Sequence, residues 1–137
     1  MKSILVKDYM DPYPYAIDHS MNVQGVVRYL MQKHISGAPV IDANKQVIGF
    51  VSEQDCLKEI LNEAFFCDEP VKVTDVMHSE VLSVSPDTDI IELAQTLLQT
   101  RPKIYPVIEG GKLVGTITRS LILKALLESS QASHSRW

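Results

Sequence analysis

The sequence predicts an α/β fold (α+β) in which two copies of a β-α-β-β-α unit pack against each other about a pseudo-twofold axis. The chain has 137 residues, a length typical of one compact domain. Its 45% hydrophobic and 22% charged residues are typical of a globular protein and argue against disorder. The third observation is decisive for the fold, because the two halves of the chain repeat each other.

Each copy begins with a short leader. Val6-Lys7-Asp8-Tyr9-Met10 reappears as Val73-Thr74-Asp75-Val76-Met77, a shift of 67 residues. An amphipathic helix follows, with Ser20 and Asp87 as predicted N-caps, since their side-chain oxygens can accept an unpaired backbone N–H. Its apolar positions recur at i, i+3, i+4, i+7 and i+8. They are Val23, Val26, Val27, Leu30 and Met31 in the first copy and Ile90, Leu93, Ala94, Leu97 and Leu98 in the second.

Two strands follow the first helix of each copy. Gly37 and Pro102 are predicted to end these helices, and each precedes a β-rich run that contains Pro-Val-Ile. After a turn, the second strands are predicted at Val47–Val51 and Leu113–Ile117. The Gly110-Gly111 pair between the strands of the second copy favours a hairpin turn over a phosphate-binding loop.

A second helix ends each copy, and it is predicted to begin at Ser52 or at Thr118. The two helices carry matching apolar residues, Leu57, Ile60 and Leu61 in the first and Leu123, Leu126 and Leu127 in the second. The copies therefore comprise residues 6–61 and 73–127. Residues 62–72 are predicted to be a linker, in which Phe65 and Phe66 either pack on the core, the favoured role, or meet a partner. Residues 128–137 are predicted to be a tail without assigned function.

The charge and the cysteine content exclude several classes of protein. A formal net charge of −4 provides no broad basic surface for nucleic acid. No apolar segment approaches the length of a membrane span, and the N-terminal apolar run is too short for a signal peptide. We therefore expect a cytoplasmic protein that binds neither nucleic acid nor membrane. In that reducing compartment Cys56 and Cys67 are expected to be inert thiols.

The order of leader Met, amphipathic helix, x-Pro-Val strand, Gly-h-h-Ser/Thr strand end and helix resembles the CBS-domain family. Two copies in tandem resemble a Bateman module, and the resemblance extends from Val6 to Leu127. It implies that residues 1–137 form a single CBS-pair module that is regulatory and not catalytic. It further implies that AMP, ADP, ATP or another adenosyl compound binds in the clefts between the copies. A homodimer that pairs through helices and an unidentified effector protein are the expected partners.

The first candidate site is the segment from Gly49 to Asp55, where a strand end opens a helix. A helix N-terminus favours phosphate, and an aspartate one turn into the helix can accept hydrogen bonds from ribose hydroxyls. The resemblance matches Ser52 and Asp55 to the Gly-h-h-Ser/Thr-x-x-Asp signature of the family and places Phe50 beside them. The same spacing is also that of a capping box, in which Asp55 binds only the Ser52 backbone.

The resemblance completes this first cleft with residues of the second copy. One part is the strand predicted before its first helix, near Ser83 and Val84. Before Pro106, a segment in the family presents backbone groups to the adenine edge and a basic side chain to the phosphate. That segment is Lys103, Ile104 and Tyr105, with Lys103 as the basic residue. Ordinary packing in the sheet is the alternative for Tyr105.

The resemblance also implies a reciprocal second cleft, which departs from the family pattern. Leu121 stands where the ribose-binding acid is expected. A leucine cannot accept hydrogen bonds, and each polar group left unpaired costs about 1–3 kcal/mol. This cleft is therefore expected to bind more weakly or to be empty. Its predicted residues are Ile17, Gly37, Ala38, Thr116, Thr118 and Arg119, the last either facing a phosphate or solvated at the surface.

Enzymatic and metal chemistry have little support in the sequence. The histidines lack metal-ligand spacing and are interpreted as surface or loop residues, namely His19, His34, His78 and His134. Ser52 and Asp55 would need a distant histidine to act as a hydrolase, and no oxyanion motif accompanies them. The leading interpretation is a ligand-sensing module, and the alternative is a structural interaction module with vestigial clefts and no ligand.

Overall fold

The computed structural model describes residues 3–66, 69–99 and 104–133, with the backbone alone at residues 63–66 and 130–133. The elements are, in chain order, α1 (Val6–Tyr9), β1 (Ile17–Asp18), α2 (Val23–Lys33), β2 (Gly37–Ile41), β3 (Val47–Ser52), α3 (Glu53–Phe66), a 3-10 turn (Val73–Asp75), α4 (Ile90–Leu97), β4 (Ile104–Glu109), β5 (Lys112–Thr118) and α5 (Arg119–Ser133).

The elements form two compact units whose boundaries differ from those of the sequence copies. A central unit comprises Tyr15–Val81, and a two-segment unit combines Met1–Pro14 with Leu82–Trp137. Val73, in the leader of the second copy, is fully buried in the core of the central unit. Val6, in the leader of the first copy, is fully buried in the core of the two-segment unit. Each leader therefore packs with the copy that it does not belong to in sequence.

The central unit is built on a three-stranded sheet of order β1-β2-β3. Strand β1 is parallel to β2, and β3 is antiparallel to β2. Helices α2 and α3 pack against each other, and their apolar faces contribute to one core with the sheet. The buried residues of this core are Ile17, Val23, Val26, Leu30, Ala38, Val40, Val51, Cys56 and Val73.

The two-segment unit is built on the antiparallel pair β4 and β5. The strand predicted near Ser83 and Val84 is reduced here to one parallel bridge between Val84 and Val107. The Val84 N–H donates to the Pro106 carbonyl at 3.0 Å, and the Val84 carbonyl accepts from the Ile108 N–H at 2.8 Å. The buried core residues are Val6, Ile90, Leu93, Tyr105, Val107, Ile117, Ile122 and Ala125.

The first helices begin two residues later than predicted, so the assignment of Ser20 and Asp87 as N-caps was wrong. Asn22 caps α2, and its side chain accepts a backbone N–H of the first turn at 2.8 Å. Asp89 caps α4 in the same way at 2.7 Å. Ser20 instead donates through its backbone N–H and its hydroxyl to the Asp18 carboxylate. This local turn holds Ser20 outside the helix.

The end of α2 also differs from the prediction. The helix ends at Lys33, where His34 adopts a left-handed conformation with φ of 56°. Gly37, the predicted breaker, is instead the first residue of β2. Its lack of a side chain makes room for the Phe50 ring, because a Cβ atom at this position would lie 2.9 Å from Phe50 Cε1. Pro102, the corresponding breaker of the second copy, lies outside the described residues.

Several further predictions can be compared with the structure. Gly110 and Gly111 have φ of 60° and 80°, as the predicted hairpin turn requires. Met31 and Leu98, the last positions of the two apolar stripes, are 68% and 87% exposed and do not join the core.

Helix α5 continues to Ser133, into the residues predicted as a tail. Helix α3 extends over Phe65 and Phe66, and Cys67 lies outside the described residues.

Candidate functional site

Ser52 and Asp55 form a complete capping box where β3 passes into α3. Asp55 Oδ2 accepts the Ser52 backbone N–H at 2.9 Å and the Ser52 hydroxyl at 2.9 Å. In return, the Asp55 N–H donates to Ser52 Oγ at 3.3 Å. The sequence left open whether this spacing forms a helix cap, and the structure shows that it does.

The box uses only one oxygen of the Asp55 carboxylate. The other oxygen, Oδ1, lies 2.9 Å from Nε2 of His78. The Asp55 side chain is 14% exposed, so the carboxylate is held in place and still reaches the protein surface. Because a carboxylate has about four lone-pair sites, Oδ1 can accept hydrogen bonds while Oδ2 serves the cap. Capping and ribose binding are thus compatible roles, with the cap orienting the acceptor.

The sequence predicted His78 only as a surface or loop residue, and in the structure it is the residue that meets Asp55. It directly follows Met77, the last leader residue of the second copy. Its backbone is fixed against β3, because the Phe50 N–H donates to the His78 carbonyl at 2.8 Å and the His78 N–H donates to the Phe50 carbonyl at 2.9 Å. The only sequence signal for His78 was its position directly after the leader methionine, Met77. That position gains importance because the leader docks on β3.

A glycine on β3 allows this docking. A Cβ atom at Gly49 would lie 2.9 Å from the His78 carbonyl oxygen and would also collide with the Met77 side chain. The two-segment unit repeats the arrangement, since a Cβ atom at Gly115 would lie 2.7 Å from the Asp11 carbonyl oxygen. The two glycines are 66 residues apart and occupy equivalent positions in the two copies, and the structure explains the equivalence by the close approach of a leader.

The remaining residues predicted for the first cleft belong to the two-segment unit. Tyr105 is 2% exposed, and its side chain packs in the core of that unit. Val84 uses its backbone N–H and carbonyl in the bridge to β4. Ile104 is half-buried at the start of β4, and Ser83 is exposed. Lys103 lies outside the described residues.

The residues predicted for the second cleft are divided between the units. In the central unit, Ile17 and Ala38 are 0% and 1% exposed and are core residues. In the two-segment unit, Thr118 Oγ1 accepts the Leu121 N–H at 3.2 Å and caps α5. Leu121 packs against the core of that unit, where it offers no acceptor.

Thr116 and Arg119 are the other polar residues of this predicted second site. Thr116 is 5% exposed, and its backbone exchanges hydrogen bonds of 2.8 and 3.0 Å with Asp11. Arg119 is exposed in the first turn of α5. Its exposure agrees with the interpretation of a solvated charge and leaves its guanidinium accessible to an anion.

The arrangement at Asp55 differs from that of a catalytic triad. In a triad the histidine bonds to the serine hydroxyl and removes its proton. Here the Ser52 hydroxyl donates to Asp55, and His78 contacts the same carboxylate. The geometry therefore orients a carboxylate and does not activate Ser52 as a nucleophile.

The neighbouring Cys56 thiol is shielded from solvent. Burial, followed by the charges of Asp55 and Glu53, raises the pKa of the Cys56 thiol above its usual range. Cys56 is 1% exposed.

Across residues 3–66, 69–99 and 104–133, no group of three or more His, Cys, Asp or Glu residues could hold a metal ion. In the same part of the chain, no helix has both the length and the hydropathy needed to cross a bilayer.

Comparison with known proteins identifies the family. The model of the CBS domain matches residues 6–62 and 73–128, which together make up most of the chain. The chain therefore belongs to the CBS-domain family, as its motifs indicated, and carries two tandem copies of the domain. The predicted fold class is confirmed, since CBSX2 from Arabidopsis thaliana, a CBS-pair protein, has the same fold with a TM-score of 0.81 over 95% of this chain.

Three relatives show how this module occurs in other proteins. CBSX2 in complex with AMP has a TM-score of 0.78 at 30% identity, covering 92% of this chain and 98% of that one. AcuB from Vibrio cholerae has a TM-score of 0.82 at 26% identity, covering 97% and 98%. The A-adding tRNA nucleotidyltransferase of Aquifex aeolicus is 29% identical over 123 residues, which are 90% of this chain and 14% of the enzyme. In that enzyme the matched region is a small part of a longer protein.

Proposed function

We propose that this chain is a ligand-sensing regulatory module in which Asp55 anchors the ribose of an adenosyl compound. The observation that carries the proposal is the orientation of the Asp55 carboxylate. Two hydrogen bonds from Ser52 hold Oδ2, so Oδ1 is directed away from the helix cap and remains an acceptor. Vicinal ribose hydroxyls are donors that suit such an acceptor, and charge-assisted hydrogen bonds of this kind are the strong ones.

The expected ligand is an adenine nucleotide such as AMP, ADP or ATP. The relative CBSX2, at 30% identity, has been crystallised with AMP. The first backbone N–H groups of α3 follow Ser52 directly and favour a negatively charged group. Phe50, Ser83, Val84, Lys103, Ile104 and Tyr105 are proposed to contribute to the same site, with Ile104 and Tyr105 acting through backbone groups.

We expect one ligand per chain to bind tightly. The equivalent position in the other copy is Leu121, which packs on the core and cannot accept a hydrogen bond from a ribose. Thr118 caps α5 without an acidic partner. A ligand at the second site would therefore depend on Arg119 and on backbone groups, and its affinity should be lower.

The proposed output of binding is a change in self-association or in contact with an effector protein in the cytoplasm. Helices α3 and α5 each expose a pair of leucines that are four residues apart. A ligand acts on such an interface only through its differential affinity for the two arrangements. We propose a homodimer that buries these exposed leucines, which are Leu57 (59%), Leu61 (57%), Leu123 (61%) and Leu127 (52%).

A purely structural interaction module is the second candidate. The complete capping box favours it, because the box explains Ser52 and Asp55 without any ligand. The two candidates differ in what the loss of the Asp55 carboxylate should change. A ribose anchor contributes to ligand affinity, whereas a cap contributes only to folding.

The test is Asp55→Ala compared with Asp89→Ala, measured by calorimetric titration with AMP and by urea unfolding. Asp89 caps α4 with the same chemistry and has no proposed ligand contact. Each variant should lose about 0.5–2 kcal/mol of unfolding free energy, because each loses a helix cap. Only Asp55→Ala should also bind AMP about tenfold to a hundredfold more weakly, the loss expected for a charge-assisted hydrogen bond.

Two results would contradict the proposal. If Asp55→Ala binds AMP as tightly as the wild type, Asp55 is a cap and not a ribose anchor. If the wild-type protein binds none of AMP, ADP and ATP, the structural module is the better description. Tight binding of two equivalents to the wild type would refute the predicted difference between the sites.

A further inference from the structure

His78 occupies the carboxylate oxygen that a ribose would need. Its Nε2 lies 2.9 Å from Asp55 Oδ1, while the cap already uses Oδ2 twice. Three of the roughly four lone-pair sites of the carboxylate are therefore engaged. Two ribose hydroxyls need two acceptor sites, so both can bind only if the imidazole leaves.

We propose that His78 is an intramolecular competitor for the ribose-binding carboxylate, so that removing its imidazole strengthens the binding of a ribosyl ligand. This inference rests on the proposed function, in which Asp55 anchors the ribose. It assigns a role to a residue of the leader and predicts that the histidine opposes binding instead of supporting it.

The contact is well suited to reversible displacement. The His78 side chain is 68% exposed, so water can replace Asp55 as its partner. The His78 backbone is bonded to Phe50 on both sides, so the imidazole can rotate away while the leader stays in place. Because water competes for the exposed imidazole, the contact should be weak, and the competition should lower ligand affinity by up to about fivefold.

The other copy provides an internal control. Asp11 is the leader residue equivalent to His78, and its backbone pairs with Thr116 in the same way, through hydrogen bonds of 2.8 and 3.0 Å. Its carboxylate accepts the Tyr13 N–H at 2.9 Å, and Leu121 stands at the position that corresponds to Asp55. A substitution at Asp11 therefore changes an equivalent leader position without touching the Asp55 carboxylate.

The experiment measures AMP affinity by calorimetry under one set of conditions for the wild type, His78→Ala and Asp11→Ala. His78→Ala should bind AMP up to about fivefold more tightly than the wild type, because the competing donor is gone. Asp11→Ala should follow the wild type.

The 2′,3′-dideoxy analogue of AMP tests the mechanism. Because it lacks the hydroxyls that compete for Asp55, its affinity should be the same for the wild type and His78→Ala. Equal AMP affinity of the wild type and His78→Ala would overturn the competition and leave the proposed function intact. Weaker binding by His78→Ala would also overturn it, because His78 would then be a ligand contact. If neither protein binds AMP, the proposed function fails and the competition fails with it.

Discussion

Replacing Gly49 by alanine tests the docking of the second leader onto β3. The added Cβ atom would lie 2.9 Å from the His78 carbonyl oxygen and 2.9 Å from Met77 Cγ. The methionine side chain can move away, but the carbonyl belongs to a backbone that is bonded to Phe50. The leader must therefore shift outward, and the burial of Val73 in the core of the central unit must weaken with it.

The magnitude follows from the cost of overpacking. Such substitutions in well-packed regions reduce the free energy of unfolding by about 1–3 kcal/mol. For a unit of this size, each kcal/mol lowers the melting temperature by about 4–8 °C. We expect a loss of unfolding free energy near the upper end of this range, about 3 kcal/mol, because one of the two close contacts is with a backbone atom that cannot move aside by itself. Urea unfolding followed by circular dichroism measures the change directly.

Two further variants make this test specific. In Gly49→Ala combined with Met77→Ala, stability should be restored only in part, because the contact with the His78 carbonyl remains. Gly25→Ala is the matched control, since a Cβ atom there lies 3.3 Å from a side-chain atom of Asn22 and alanine is favoured inside a helix. Gly25→Ala should be neutral or slightly stabilising. If Gly49→Ala were as stable as the wild type, the leader could not be docked against Gly49 as the structure has it.

Two other predictions concern association and thiol chemistry. Light scattering at tens of micromolar should report a dimer, because an interface of standard size persists in about this range. The double variant Leu57→Glu, Leu61→Glu should be a monomer. A monomeric wild type would refute the proposed dimer. In a Cys67→Ser background, Cys56 should react with iodoacetamide at pH 8 far more slowly in the folded protein than in urea, because it is buried and its pKa is raised. A thiol pKa raised by folding stabilises the protein below the ordinary value of 9.0, so this contribution should disappear as the pH rises through the folded pKa. Equal alkylation rates in the folded and unfolded protein would contradict the burial.

The sequence by itself determined the elements of this fold, because their signals are local. The apolar period of 3.6 residues predicted α2 and α4, and the Pro-Val-Ile runs predicted β2 and β4. The spacing of Ser52 and Asp55 within one helical turn indicated the cap, the candidate ribose anchor and the family. The N-caps were misplaced by two residues, since several side chains in that turn can cap and the choice depends on how Asp18 binds Ser20.

Only the tertiary structure decided how the leaders pack and what Asp55 meets. The repeat placed each leader with the helix that follows it, whereas Val6 and Val73 are buried with the other copy. The contact between Asp55 and His78 joins residues 23 positions apart. Burial of apolar surface is non-directional, so no local pattern states which surface a leader will cover. Once the leader is docked at Gly49, the backbone pairing with Phe50 carries His78 to the carboxylate that the sequence had assigned to the ligand alone.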